Sequence, residues 1–190
     1  MPVATSKTKI NIPAGVHESV LVSCVDIGTQ FSEKFQSSAH KVILSFEISG
    51  LANSDGAPIL VSKFYTLSIS PKSSLRRDLE GLLGRSLTEK KLELKTLLGT
   101  PVLIQLTKSE SNGKERTNIT NVMQIPGKKK LPHVSDLISF DITDHVIPES
   151  IPEWIREYIL KSEEYGQGGF EGDYPENDEA PGEESGLQPF

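Results

Sequence analysis

One change of period constrains the fold of this chain more than any other feature: β-type runs give way once to a helical leucine run, then resume. Residues 17–27 (HESVLVSCVDI), 41–49 (KVILSFEIS) and 59–70 (ILVSKFYTLSIS) are rich in β-branched and aromatic residues, as strands are. The second run alternates most cleanly, with Val42, Leu44, Phe46 and Ile48 on one face and Lys41, Ile43, Ser45 and Glu47 on the other. Pro71 then blocks continuation of the third strand. Leu75, Leu79, Leu82 and Leu83 follow at helical spacing, with Ser73 placed to cap and Gly84 to terminate. Ser86 and Glu89 stand at capping-box spacing before further leucines, which predicts another helical turn or two. Residues 101–109 (PVLIQLTKS) and 116–125 (RTNITNVMQI) read as a fourth and a fifth strand, joined through Asn112-Gly113, a strong hairpin signal.

Three strands, a helix and two strands is the connectivity of an OB-fold, a small Greek-key barrel. The expected fold class is therefore mainly β: a five-stranded OB-fold-like barrel over residues 1–130, with a helical insertion between strands three and four. Residues 131–161 form a C-terminal extension. There Ser150 and Glu153 make a capping-box spacing around Pro152, and Trp154, Ile155, Tyr158 and Ile159 make an apolar stripe. That stripe is expected to pack back onto the barrel, the alternative being a partner-binding helix. Residues 162–190 hold nine acidic residues and no Lys or Arg. This composition predicts a disordered acidic tail, because little apolar surface offsets the entropy of ordering.

The formal charge of −6 conceals an asymmetry. Residues 1–130 carry 18 basic and 11 acidic side chains, a net +7, whereas residues 131–161 carry −4 and the tail −9. A basic body predicts a polyanionic partner, and an acidic tail a separate role. Cys24 is the only cysteine, which excludes an internal disulfide and suits a reducing compartment. No run reaches membrane-spanning length and the N-terminus lacks a signal-peptide core, so a soluble intracellular protein with no membrane partner is expected. His17, His40, His133 and His145 are dispersed, without metal-ligand spacing, and no phosphate-cradling glycine loop or nucleophile elbow is present. The expectation is a protein without catalytic residues, metal or cofactor.

A sequence-tolerant single-strand site needs cations that follow phosphates and flat rings on which bases stack. Lys41, Lys63, Lys72, Arg76 and Arg77 cluster on strands two and three and the turn after them, the region OB-folds offer to oligonucleotides. Lys114 and Arg116 flank the hairpin that makes the other usual wall. Phe31 and Phe35, after the first strand, are placed to close over a base. Phe64 and Tyr65 are neighbours and must point to opposite faces. Tyr65 is expected inward with Leu67 and Ile69, leaving Phe64 outward, where it either covers the helix or meets a base.

The stretches "NIPAG", "DIGTQ", "SKFYTLSISPKSSLRRDLEGLLGR", "LKTLLGTPVLIQL" and "IPEWI" together resemble a family of small phage proteins associated with single-stranded DNA binding and replication. The resemblance covers residues 12 to about 165. It implies an OB-fold, a role in phage replication or recombination, and the cytoplasm of the infected bacterial host. The tail is similar to those of bacterial and podophage single-stranded DNA-binding proteins, which dock a terminal aromatic into replication partners. Pro189 and Phe190 match that ending, while Leu187 and Gln188 replace the acids usual before it. The expected partners are single-stranded DNA and, through Pro189 and Phe190, replication or recombination proteins. A homo-oligomer is compatible with this reading. The competing reading is an adaptor or host-protein inhibitor acting through the Trp154 helix and the tail.

Overall fold

The computed structural model describes residues 12–111, 113–144 and 146–165. Six strands form one sheet: β1 (Gly15–Ser32), β2 (Ser37–Ala52), β3 (Pro58–Thr66), β4 (Pro101–Ser111), β5 (Lys114–Gln124) and β6 (Ile138–Phe140). Their order is β3-β2-β1-β4-β5, antiparallel throughout. β1 is long enough to serve two partners on one edge. Residues 15–20 pair with β4, and beyond Pro101, where β4 begins, the short β6 pairs in parallel with Ser23, Cys24 and Val25.

The expected mainly β, OB-fold-like sheet is present, but it does not close into a barrel. Among the described residues no ladder joins β3 to β5, so the sheet is open between its two edge strands. Helix α1 (Ser74–Leu83), between β3 and β4 in the chain, lies across that gap. Ser73 caps it by accepting a hydrogen bond from Arg76 N at 3.1 Å, and Gly84 ends it in the left-handed conformation at φ 64°. Toward β3, the buried Asp78 accepts from Lys63 Nζ at 2.8 Å and Tyr65 Oη at 2.9 Å. Toward β5, Gly81 permits close approach, since a Cβ there would lie 2.1 Å from Val122 O. Leu75, Leu79 and Leu82 fill an inner core with Leu21, Val42, Leu44, Phe46, Tyr65, Ile104 and Ile119. The second helical run is not formed. Glu89 binds Arg85 at 2.6 and 3.2 Å instead of completing a box with Ser86, and only a 3-10 turn, Leu94–Leu97, follows.

Residues 131–165 cover the opposite face of the sheet. Helix α2 (Glu153–Leu160) buries Ile155 and Ile159 against Val25, Ile27, Ile43 and Phe64, together with Phe140, Ile142 and Ile151. The stripe thus packs back onto the sheet. The Ser150 capping box is corrected: Pro152 stands at the N-cap and makes no side-chain cap hydrogen bond. Glu47 anchors the start of the cover by accepting the N–H groups of Val134 (2.8 Å) and Ser135 (2.7 Å). Within the expected tail, Ser162 is fully buried and Glu163–Tyr165 form a 3-10 turn.

Candidate nucleic-acid interface

The residues nominated from the sequence separate into four groups once placed on this frame. Lys41, Lys63, Phe64 and Tyr65 are buried, and a surface-bound strand does not reach them. Lys63 is committed to Asp78 and lies 5.1 Å from the Tyr65 ring centroid. Phe64 does face outward while Tyr65 joins the inner core, but the C-terminal segment covers Phe64: its ring meets Tyr158 edge-on at 5.1 Å and Trp154 at 6.2 Å. Arg76 uses its donors internally, binding Glu80 at 3.0 Å and the carbonyls of Ile69 (3.2 Å) and Leu87 (2.7 Å). It is a staple for the turn before α1 and the chain after it.

Lys72 is exposed in the turn before α1. Arg77 is half exposed, with Nε 3.2 Å from Asp78 Oδ1. Both sit near the N-terminal end of α1.

The third group is the tip of the β1–β2 hairpin. β1 runs five residues past its expected end, so Phe31 lies within the strand, opposite Ser38. Phe31 is 43% exposed and Phe35, in the connecting turn, 39%. Lys34, unremarked in the sequence reading, holds its ammonium 5.7 Å from the Phe35 ring centroid. The spacing Phe31-Lys34-Phe35 was the signal that could have found it. The fourth group is the β4–β5 hairpin, where the Ser111↔Lys114 pair ends the ladder and Gly113 turns the chain at φ 71°. Lys108 pairs with Glu115 at 2.7 Å, and Arg116 is half buried with Nη1 lacking a hydrogen-bond partner. The Lys114 side chain, and the whole of Pro189 and Phe190, lie outside the described residues.

The registers place these tips at opposite ends of β1. The β1–β2 turn follows its last residue, whereas β4 pairs Leu106 with Gly15 and continues beyond the strand's start. The base of the first hairpin is also a polar cluster. Asp26 Oδ1 lies 2.6 Å from His40 Nε2 and accepts Gly28 N–H at 2.8 Å. Glu164 accepts both Thr29 N–H and Thr29 Oγ1–H at 2.7 Å and stands 3.7 Å from His40 Nδ1, while Ser38 Oγ donates to Glu163. Burial pushes the Glu164 carboxyl up, but the two Thr29 donors and His40 outweigh it and hold it below the ordinary carboxylate range. Gln30, buried, ties this hairpin to α2 through Tyr158 O at 3.0 Å.

Among the described residues no three His, Cys, Asp or Glu side chains are grouped to hold a metal, and no helix is long and apolar enough to cross a membrane. No protein-family model matches the chain, and comparison with the curated proteins finds no match.

Proposed function

We propose that this is a non-catalytic single-stranded DNA-binding protein with an OB-type sheet, gripping the strand between the β1–β2 and β4–β5 hairpins. The observation that carries the reading is the strand order β3-β2-β1-β4-β5 with a helix after β3. It is the order of a partly open five-stranded Greek-key barrel, in which those two loops flank the oligonucleotide. Support comes from Phe31 and Phe35, exposed beside Lys34 at one tip, and from Lys108 and Arg116 at the other. The net +7 of residues 1–130 adds the electrostatic component.

The face of β2 and β3 that such folds offer to nucleic acid is covered here by α2. The strand therefore rests on the hairpin tips, with Lys72 and Arg77 extending its phosphate track. Pro189 and Phe190 remain the proposed anchor for replication or recombination partners, in the setting of phage replication. An adaptor acting through α2 is less well supported, because Ile155 and Ile159 of that helix are spent on the sheet.

The test is anisotropy of a labelled oligothymidylate and of a duplex across a salt series. Binding should favour the single strand, with a log-log salt slope of about 0.7 per neutralised phosphate. Replacing Phe31 or Phe35 by Ala should each cost about 1–3 kcal/mol where a base stacks. Equal affinity for duplex, or a flat salt response, contradicts the proposal.

A further inference from the structure

Thr29 pairs with His40 and Phe31 with Ser38, two consecutive positions on the same face of the β1–β2 ladder. An exposed ring thus stands two residues, about 6–7 Å, from a set of hydrogen-bond donors. Those donors are Thr29 N–H, Thr29 Oγ1–H and Ser38 Oγ–H, which bond to carboxylates of the chain's own Glu163 and Glu164, while the His40 ring stands beside them, its Nδ1 3.7 Å from Glu164 and its Nε2 2.6 Å from Asp26. The His40 backbone carbonyl accepts Leu67 N–H from the β3 side at 2.7 Å, which leaves Thr29 N–H directed to the strand edge where Glu164 sits. Gly28 makes the room: a Cβ there would lie 2.5 Å from Glu164 Oε2 and 2.8 Å from Ser162 Cβ.

We propose that Thr29 and Ser38, with the His40 ring beside them, form a phosphate seat for a nucleic-acid strand, which Glu163 and Glu164 fill until the strand displaces them. The inference rests on the single-strand reading above. Carboxylate and phosphodiester oxygens take the same donors, and N–H and O–H groups converging on an anion make a seat for either. Two further observations mark the glutamate turn as displaceable. The Glu164 side chain is one-third exposed. Tyr165, next in the chain, has its hydroxyl buried without a hydrogen-bond partner, a cost that undocking the turn removes. With the turn displaced, a phosphate on Thr29 and Ser38 leaves the adjoining base within reach of Phe31.

The test compares three full-length proteins for binding the labelled oligothymidylate at low salt. They are the unaltered chain, E163Q/E164Q, and E163Q/E164Q combined with T29V/S38A. Neutralising the glutamates should tighten binding roughly tenfold, the scale of one charge-assisted hydrogen bond. Removing the hydroxyl donors should abolish that gain. If the unaltered chain binds and E163Q/E164Q binds no better, the seat is refuted while the single-strand reading stands. If the gain survives T29V/S38A, it came from lost charge alone and the seat is again refuted. If no protein binds the oligonucleotide, the single-strand reading fails. The seat is then judged by NMR titration of E163Q/E164Q with thymidine 5′-monophosphate: shifts at the Gly28 and Thr29 amides uphold it, and unmoved amides overturn it. Hydrogen exchange across α2 in each variant verifies that the cover stays folded.

Discussion

Two amphipathic helices of similar length lie on opposite faces of one sheet, and they are held there by different means. α1 is capped at both ends by its own sequence and carries a buried carboxylate bonded to Lys63 and Tyr65 of β3. α2 has no side-chain cap at its N-terminus, its last turn is closed by Ser162 Oγ–H donating to Ile159 O at 2.7 Å, and among the described residues it carries no buried ion pair. Ile155, Ile159 and the Trp154–Phe64–Tyr158 ring contacts hold it, and Gln30, Glu47 and Glu164 tie the chain around it. The comparison teaches that the helix bridging the open sheet is specified by polar groups that fit one geometry, whereas the covering helix relies on apolar contact that tolerates repacking. The inner side should therefore fail all at once and the outer side in stages.

The largest effect is expected at Asp78. Its replacement by Ala leaves the Lys63 ammonium buried without its partner, which costs about 3–5 kcal/mol. Urea unfolding should show the loss as a single transition. Because apolar replacements of a buried pair are often neutral, the double variant K63M/D78L should recover most of the stability. A double variant as unstable as D78A would mean that the geometry around α1, not the charge, sets the cost.

Phe64→Ala comes next. The side chain is 7% exposed, and its removal should cost about 3 kcal/mol. That is the low end for an aromatic truncation, because Trp154, 42% exposed, has room to collapse into the space. Hydrogen exchange should accelerate across residues 138–165 while α1 keeps its protection. Equal acceleration in both helices would erase the distinction drawn between them.

A smaller effect separates the two sides by pH. Burial pushes the Glu47 carboxyl up, but bonds from Ser135 and Val134 and the influence of His133 outweigh it, and the group is held below its ordinary range. Glu164 is held low in the same way. A depressed carboxylate contributes its stability fully above the unfolded value of about 4.3, and that contribution is lost as pH falls through the folded value. Acidification below about pH 4 should therefore loosen residues 131–135 and 162–165, read as faster exchange at the Val134, Ser135 and Thr29 amides. E47Q should reproduce the loosening of residues 131–135 at neutral pH, at about 1–2 kcal/mol. Release on raising the pH would contradict the assignment.

The same contrast explains what was legible in the sequence. α1 and its caps, and five of the six strands, are written in local periodicity and turn residues, and local reading finds them. Ile138–Phe140 is too short to show a period, and its strand pairing depends on β1 outrunning β4. Lys41 and Lys63 read as outward cations because a lysine in a strand usually reaches water. Lys63 is buried because Asp78, fifteen residues on and in the middle of an apolar helix stripe, supplies its partner. Ile43 among Lys41, Ser45 and Glu47, and Phe64 on the outward face of β3, were the apolar residues out of place, and the α2 stripe was their complement. Matching those two surfaces requires contacts across ninety residues or more, which no local pattern encodes.

The smallest effect is one of timing, the opening of one face against the other. Cys24 is buried in the inner core, and its thiol is pushed up to about 12, first by burial and then by Asp26. The thiolate is the reactive form, so the native protein should not react with a disulfide reagent at neutral pH. Labelling then requires an opening that exposes β1 to solvent. Cys24 pairs with Ser139 of β6 on one side and Leu44 of β2 on the other, so loosening α2 alone does not bare it. In F64A, exchange across α2 should rise while Cys24 labelling increases only as far as global stability falls. In D78A, Cys24 labelling and α1 exchange should rise together. Labelling of Cys24 in F64A at the rate of α2 exchange would show that the outer cover and the inner core open as one unit.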